Sequence, residues 1–227
     1  MRFSANLGFL WQELPLADAI RAAKAAGFDA VECHWPYEQP VAVVRQALEQ
    51  TGLPMLGLNT RRGRSGQNGL AALPASVSEA RAAIDEAIDY AEAIGAEAIH
   101  VMAGCAEGSQ AHDTFLQNLN YACSRTDKMI FIEPLNQHDA PGYFLKTTDQ
   151  AAAIIEELAR ANLRLMFDCY HVARTEGDVV ARLEARFSMI GHIQFASVPD
   201  RGPPDHGALD YPTVFDRIAA LGWERPL

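Results

Sequence analysis

The chain has 227 residues, of which 49% are hydrophobic and 21% are charged, and its formal net charge at pH 7 is −10. This composition is typical of a soluble globular protein, and we predict one domain over residues 1–227. The acidic balance argues against a nucleic-acid partner, because phosphate binding depends on clustered Lys and Arg. The short basic segment 60–66 is interpreted either as a solvated loop or as a contact for an anionic substrate.

The sequence predicts neither a membrane-spanning helix nor a signal peptide. No apolar run approaches the roughly 18 to 20 residues that a membrane-spanning helix requires. The amino terminus reaches Glu13 before any long apolar stretch, which argues against a signal peptide. The four cysteines have neither CxxC nor Cys/His zinc spacing and are expected to be reduced. The sequence therefore predicts a cytoplasmic protein without a membrane partner, and it leaves a homo-oligomer open.

Short strand-like runs recur along the whole chain. In order they are RFSANL (2–7), DAVECHW (29–35), PMLGLNT (54–60), AEAIHVMAG (96–104), KMIFIEP (128–134), LRLMFDCYH (163–171) and IGHIQFAS (190–197). Segments rich in Ala and Leu, with helical periodicity, lie between these runs. Capping and stop residues predict helices that run from Leu16 to Gly27, from Ser76 or Ser78 to Gly95, from Thr147 or Thr148 onward, and from Asp210 to Gly222.

Strict alternation of strands and helices, with strands that are apolar throughout, predicts a parallel sheet covered by helices. An open doubly wound sheet usually has a glycine-rich phosphate loop after its first strand, and SANLGFLW (4–11) is not such a loop. A (β/α)₈ barrel typically needs about 250 residues. We therefore predict an α/β fold, a (β/α)₈ TIM barrel, with the eighth strand and the C-terminal helix absent from residues 1–227.

Polar residues stand at the ends of the predicted strands, which meet at one rim of a parallel barrel. Glu133, Asp168 and Gln194 end three consecutive strands and should lie side by side. Two carboxylates and an amide oxygen are hard ligands that suit Mg²⁺ or Mn²⁺. A carboxylate at the end of a buried strand costs roughly several kcal/mol when it has no partner. The sequence therefore predicts one divalent metal ion, shared by Glu133 and Asp168.

Other strand ends supply less specific candidates. His171 follows Asp168 by three residues and is expected to contact substrate, and Asn59 is a second substrate-binding candidate. His100 is interpreted either as a rim residue or as a core histidine. Glu32 is interpreted as facing either the barrel interior or a helix. No Ser/His/Asp or Cys/His nucleophile signature is present.

The longer motifs resemble those of a known family. They are RFSANL, GFDAVECHWPY, LGLNT, GLAALP, HVMAG, IEPLNQHDAPGYFL, FDCYHVARTEGD and GHIQFASVPDRGPPDHGALDYPTVF. From residue 2 onward the chain is similar to hydroxypyruvate isomerase and its 2-oxo-tetronate isomerase relatives. These enzymes belong to the xylose-isomerase-like barrels, which also include ketose 3-epimerases and an endonuclease branch. The resemblance implies a (β/α)₈ barrel with one divalent metal ion at its rim.

The resemblance also implies roles for individual residues. Glu133 corresponds to a metal ligand and candidate catalytic base, and Asp168 corresponds to a metal ligand. Gln194 stands where the epimerases keep a metal-binding histidine, and glutamine there is the pattern of the hydroxypyruvate isomerase branch. The family's fourth ligand is a glutamate on the eighth strand, which often acts with the residue at Glu133 as a second acid or base. Residues 1–227 end before that position, and Glu224 precedes it.

The implied reaction is the interconversion of hydroxypyruvate and 2-hydroxy-3-oxopropanoate (tartronate semialdehyde). A base removes the proton next to the carbonyl, and a metal ion stabilises the negative charge of the resulting enediolate. The substrate is a small anionic hydroxy- or oxo-acid, so its carboxylate needs a cationic partner. Arg201, His171 and Arg61 or its neighbour Arg62 are the candidates.

Three alternatives stay open from the sequence. The first is a 2-oxo-tetronate isomerase or ketose 3-epimerase that acts on a longer sugar or sugar acid, which the size of the pocket would decide. The second is an endonuclease, which the acidic charge disfavours and which would need several zinc ions and more histidine ligands. The third is a catalytically inactive barrel that binds a metabolite.

Overall fold

The computed structural model describes residues 1–227. It contains seven strands: β1 (Ser4–Asn6), β2 (Ala30–Glu32), β3 (Leu58–Asn59), β4 (Ala98–His100), β5 (Met129–Ile132), β6 (Leu163–Asp168) and β7 (Ile190–Gln194). The α-helices are α1 (Leu16–Ala25), α2 (Val41–Thr51), α3 (Val77–Ile94), α4 (Gly108–Arg125), α5 (Thr148–Leu158), α6 (Cys169–Thr175), α7 (Val179–Arg186) and α8 (Tyr211–Ala220). Every strand-like run predicted from the sequence contains one of these strands.

All strands are parallel to their neighbours. β1 pairs with β2, and β3 to β7 form a second sheet in sequence order. A parallel bridge between Val31 and Met55 links the two sheets. Each consecutive pair of strands is joined by a helical connection, as parallel pairing requires. The predicted α/β barrel architecture is confirmed.

The segment after α8 passes beside the first strand without forming a strand itself. The Leu227 N–H donates to the Arg2 carbonyl at 3.1 Å, and the Ser4 N–H donates to the Leu227 carbonyl at 2.7 Å. This is the hydrogen-bond pattern of a parallel ladder. On the other side, the Arg225 side chain donates to the Gly191 carbonyl of β7 at 3.1 Å. The segment therefore contacts both β1 and β7, the two ends of the strand order.

Two predicted helix boundaries illustrate how the helices are fixed. Gly95 follows α3 in the left-handed conformation, with a φ of 75°, and the Gly95 N–H returns to the helix. Glycine adopts this conformation without the steric cost that other residues meet. The Thr147 hydroxyl accepts a hydrogen bond from the Gln150 N–H at 3.1 Å and caps α5. Ser76 precedes α3 but makes no side-chain cap.

The hydrophobic core lies between the strands and the surrounding helices. Along each strand, every second side chain faces the barrel interior and the others face the helices. In the interior, Ala98, Phe131 and Met166 form a small buried cluster. The rings of Phe131 and His192 stack there at 6.1 Å between centroids. This layer supports the polar residues that follow two positions later on each strand.

None of the helices combines the length and apolar composition that crossing a membrane requires. All four cysteines are free, as predicted.

Candidate active site

Polar side chains from five strands meet at the carboxyl-terminal end of the barrel. They are Glu32, His100, Glu133, Asp168 and Gln194. The register of β6 and β7 places Met166 beside His192 and, two residues on, Asp168 beside Gln194. Because side chains alternate along a strand, an apolar layer therefore lies below the polar one. All five except Gln194 are buried.

Glu133, Asp168 and His171 form the most compact group of potential ligands. One ligand atom from each lies within 4.8 Å of the others. Burial is the largest effect on the pKa of Glu133, and together with the negative charge of Asp168 it raises this pKa well above its ordinary value. A buried pair of carboxylates requires a proton or a cation. The two carboxylates, Glu133 and Asp168, therefore could hold a divalent metal ion.

The position of Asp168 explains why His171 reaches the same site. Asp168 ends β6, and its Oδ1 accepts a hydrogen bond from the Tyr170 N–H at 2.8 Å, so it also caps α6. The cap starts a helix directly at the rim, and residue 171 lies in its first turn. The Nε2 atom of His171 is consequently 3.6 Å from Oδ2 of Asp168 and 3.8 Å from Oε1 of Glu133.

The hydrogen bonds of His171 determine which ring nitrogen carries the proton. Its Nδ1 faces the backbone N–H of Asn136 at 3.1 Å and the Asn136 side-chain nitrogen at 2.7 Å. Both partners are donors, so we assign Nδ1 as an acceptor and the proton to Nε2. Burial lowers the pKa of His171 to about 4. The ring is therefore neutral near pH 7 and presents an Nε2–H to the carboxylates.

Arg201 approaches the same point from the β7 side. Its Nη2 is 3.0 Å from Nε2 of His171 and 3.5 Å from Oδ2 of Asp168. With the proton on Nε2, this contact brings two donors together, and both could donate to one acceptor oxygen placed beside them. The guanidinium is held between the rings of Phe9 and Tyr170, at 4.8 and 4.9 Å. It is thus a positioned cation at the edge of the site.

Glu32 lies inside the barrel and contacts β7. Its Oε1 accepts a hydrogen bond from Gln194 Nε2 at 2.9 Å, and its Oε2 lies 2.9 Å from His192 Nε2. Burial alone would raise the pKa of Glu32, but the charge of His192 and the hydrogen bonds from His192 and Gln194 outweigh burial and lower it. The sequence left open whether Glu32 faces the barrel interior or a helix, and the structure places it in the barrel interior.

His100 also faces the site rather than the hydrophobic core. Its Nδ1 is 3.6 Å from Oε2 of Glu133, and its Nε2 is buried without a hydrogen-bond partner. Burial is the main cause that lowers the pKa of His100 to about 3. Glu133 is therefore flanked by two imidazoles, His100 and His171, that are both neutral near pH 7.

A cavity of about 400 Å³ opens onto these groups. This volume is within the range of small-molecule sites. The polar residues in its wall include Asn6, Glu32, His34, Asn59, Arg62, Asn68, His100, Glu133, Asp139, His171, Gln194 and Arg201. Asp168 lines an adjacent cavity of about 520 Å³, which shares Glu32, Gln194 and Arg201 with the first. Asn59, a substrate-binding candidate from the sequence, is thus part of the wall.

The two adjacent arginines after β3 point to different places. Arg61 lies outside the cavity, and its guanidinium binds Glu86 at 2.6 Å and Glu38 at 3.1 Å. Arg62 lines the cavity, lies 4.8 Å from the Trp35 ring and donates to Asn68 Oδ1 at 2.8 Å. The structure therefore does not bring Arg61 together with the other predicted residues. The two carboxylates of Glu38 and Glu86 hold Arg61 on the outer surface. Arg62, the other arginine named as a candidate, faces the cavity instead.

The chain is similar to known proteins over nearly its whole length. Residues 20–227 match the model of the xylose isomerase-like TIM barrel family. A 2-oxo-tetronate isomerase of Cupriavidus necator is 41% identical, over 98% of this chain and 89% of that protein. A putative hydroxypyruvate isomerase of Homo sapiens is 35% identical, over 99% of this chain and 87% of that protein.

Solved structures share the same fold. A Brucella melitensis protein described as an AP endonuclease of family 2 has a TM-score of 0.95 and 33% identity, over 99% of this chain and 90% of that one. The 3-keto-D-glucoside 4-epimerase of E. coli has a TM-score of 0.83 and 20% identity, over 100% of this chain and 90% of that one. The second likeness concerns the fold alone. The chain belongs to the xylose isomerase-like TIM barrel family, within its group of 2-oxo-tetronate and hydroxypyruvate isomerases, and is an isomerase.

Proposed function

We propose that this isomerase moves a carbonyl group between two neighbouring carbons of a short oxo acid. The primary pair of substrates is hydroxypyruvate and 2-hydroxy-3-oxopropanoate. The observation that carries the proposal is the environment of Glu133, a buried carboxylate in a cavity wall. It lies near a second carboxylate, and its pKa is raised by burial and by that neighbour. A strong base in a site protected from water is what proton abstraction next to a carbonyl requires.

The donor set fits a divalent cation, and we propose Glu133, Asp168 and Gln194 as its ligands. The carboxylates of Glu133 and Asp168 are buried beside neutral imidazoles, so a cation would compensate their charge. Gln194 lies beside Asp168 in the β6–β7 register, and oxygen donors of this kind suit Mg²⁺ or Mn²⁺. When bound, such an ion supplies Lewis-acid stabilisation of negative charge on the substrate oxygens.

Glu133 is proposed to carry the proton between the two carbons. It removes a proton from the hydroxyl-bearing carbon, and the electron pair moves through the new carbon–carbon double bond onto the carbonyl oxygen. Return of the proton to the former carbonyl carbon, with transfer of the hydroxyl proton to the former carbonyl oxygen, leaves a hydroxyl on that carbon and the carbonyl on its neighbour. Nε2 of His171 and Nη2 of Arg201 lie 3.0 Å apart, so both are proposed to donate to the oxygen that gains negative charge.

The same cavity offers cations for the substrate carboxylate. Arg201 and Arg62 both line it, and the guanidinium of Arg62 has only Asn68 as a hydrogen-bond partner. Asn59, also in the wall, is proposed to contact a substrate oxygen. Arg61, which was the other candidate, already binds two carboxylates. We therefore propose Arg62, together with Arg201, as the partner of the carboxylate.

A four-carbon 2-oxo-tetronate is the second candidate substrate. It is favoured by the 41% identical relative with this name and by a cavity of about 400 Å³, which has room beyond a three-carbon acid. An endonuclease activity is disfavoured by the net charge of −10. The small anionic acid is the proposed partner, and the cytoplasmic location stays a prediction.

The test is turnover of both acids by protein that is stripped with chelator and then supplied with Mn²⁺ or Mg²⁺. We expect activity to return with the metal, and the ratio of the two kcat/KM values identifies the substrate. Glu133→Gln should lower turnover by roughly 10²-fold or more, and Asp168→Asn should weaken Mn²⁺ binding at least about tenfold. Asp113→Asn, at an exposed site, is the control.

Three results would contradict the proposal. Turnover by Glu133→Gln above a few per cent of wild type would remove Glu133 as the base. Unchanged Mn²⁺ affinity in Asp168→Asn would remove Asp168 from the ligand set. Mn²⁺ binding without turnover of either acid would favour a metabolite-binding barrel.

A further inference from the structure

Glu32 is a buried carboxylate whose two oxygens are both occupied by side chains of β7. The residue is 7% exposed, and its side chain reaches across the barrel from the end of β2. Gln194 Nε2 donates to Oε1 at 2.9 Å, and His192 Nε2 lies 2.9 Å from Oε2. Because both oxygens are used in this way, Glu32 is not free to act as a base. Nor is it free to bind a metal ion together with Glu133 and Asp168.

The chemistry of an amide makes the contact with Gln194 directional. A glutamine side chain has one acceptor atom, Oε1, and one donor group, Nε2. An ionised carboxylate only accepts hydrogen bonds, so Glu32 selects the nitrogen of Gln194. Since the amide is planar, the oxygen must then lie on the opposite side of the group. The reversed amide would place its oxygen against Oε1 of Glu32, where two acceptors repel.

We propose that Glu32 is a positioning residue that turns the amide oxygen of Gln194 towards the metal ion, while His192 holds Glu32 in place. The inference rests on the proposed function, in which Gln194 is a ligand. Only the oxygen of an amide binds a hard cation. A carboxylate that holds the amide nitrogen therefore decides whether Gln194 is a ligand at all. The arrangement corresponds to the outer hydrogen bonds that orient metal ligands in other proteins.

The layered interior makes this role specific to Glu32. Glu32 and Gln194 lie in the polar layer, and His192 lies two residues earlier on β7, stacked on Phe131 in the layer below. The stack fixes the His192 ring, so its Nε2 meets Glu32 from beneath. Glu32 consequently receives hydrogen bonds from both layers, and neither of its neighbours can turn without breaking one.

A double-mutant cycle on the Mn²⁺ dissociation constant, measured by titration calorimetry, tests the proposal without using turnover. The variants are Glu32→Leu, Gln194→Leu and the two combined, with wild type as reference. We expect Glu32→Leu to weaken Mn²⁺ binding about 10- to 100-fold. In the Gln194→Leu background the same change should have no further effect, because the ligand that Glu32 positions is already absent.

Glu32→Gln separates positioning from charge. A glutamine at this position keeps an oxygen that accepts from Gln194 Nε2 but carries no charge, so Mn²⁺ affinity should stay within about threefold of wild type. If Glu32→Leu does not fold, Glu32→Met, which likewise cannot accept from Gln194 Nε2, takes its place in the cycle, and a loss of affinity equal in the presence and absence of Gln194 would contradict positioning.

The outcomes distinguish this inference from the function on which it rests. An equal effect of Glu32→Leu in both backgrounds would show that Glu32 acts through its charge and would overturn the inference. Binding that Gln194→Leu weakens and Glu32→Leu does not would overturn it as well, while leaving Gln194 as a ligand. Absence of Mn²⁺ binding by wild type, or binding unaffected by Gln194→Leu, would overturn the proposed ligand set and the inference together.

Discussion

Replacing Glu133 with glutamine should stabilise the metal-free protein although it removes the proposed base. Glu133 and Asp168 are buried, with ligand atoms within 4.8 Å of each other. Two unit charges at that distance repel by about 3.5 kcal/mol at an effective dielectric constant of 20. Part of this repulsion is already avoided when Glu133 takes up a proton. We therefore expect Glu133→Gln to raise the free energy of unfolding by about 2 to 3 kcal/mol at pH 8.

The gain should depend on pH, and its sign follows from the raised pKa. Because the folded protein holds the Glu133 proton more tightly than the unfolded chain, this group disfavours folding increasingly as the pH rises from 4.5 through the raised pKa. Glutamine has no proton to lose. The difference between variant and wild type should consequently be small at pH 5 and larger at pH 8.

Urea unfolding in chelator, followed by circular dichroism, measures the effect. A gain of this size corresponds to a midpoint shift of about 1 M. Mn²⁺ at 100 times its dissociation constant should stabilise wild type by about 2.7 kcal/mol and should stabilise the variant less. Glu156→Gln, at an exposed site, should change nothing. The reasoning is refuted if Glu133→Gln is less stable than wild type at pH 8 in chelator, or if its gain is equal at both pH values.

Two further predictions concern the cavity wall and the buried histidines. Arg62→Ala should raise KM about tenfold, the effect of a lost charged contact of about 1.4 kcal/mol, whereas the adjacent Arg61→Ala should leave it unchanged. Equal KM values in steady-state assays of the two variants would contradict this assignment. The pKa of His171 is about 4 when folded and 6.5 ordinarily, so its stabilising contribution is present above pH 6.5. The free energy of unfolding should therefore fall by about 3 kcal/mol through this group as the pH falls to 4. Urea unfolding of His171→Leu should show a correspondingly shallower decline with pH, and an identical slope would refute the assignment.

The grouping of polar residues at the strand ends could be predicted from the sequence, because the geometry of parallel strands determines it. Parallel strands bring their carboxyl ends to one rim, so Glu133, Asp168 and Gln194 could be grouped from their positions after three apolar runs. The structure places Asp168 and Gln194 side by side and Glu133 near Asp168. The roles of these residues stay predictions.

Residues outside this group could not be placed from the sequence. β2 has three residues, all buried, so no alternation of polar and apolar residues indicates which way Glu32 points. His100 ends β4, in which all three residues are likewise buried. Arg61 and Arg62 follow the end of β3, where the period of two no longer applies. Their directions depend on contacts made by distant residues, Glu86 and Trp35.

Asp168 links the site to local folding through a single carboxylate. Its Oδ1 holds the first turn of α6, while its Oδ2 faces His171 and Arg201. A ligand that fixes Oδ2 also restricts rotation of the carboxylate and therefore protects the bond from the Tyr170 amide. Local opening of α6 and occupation of the site are thus thermodynamically coupled. The hydrogen-exchange rate of the Tyr170 amide should report, from the backbone, whether the site is filled.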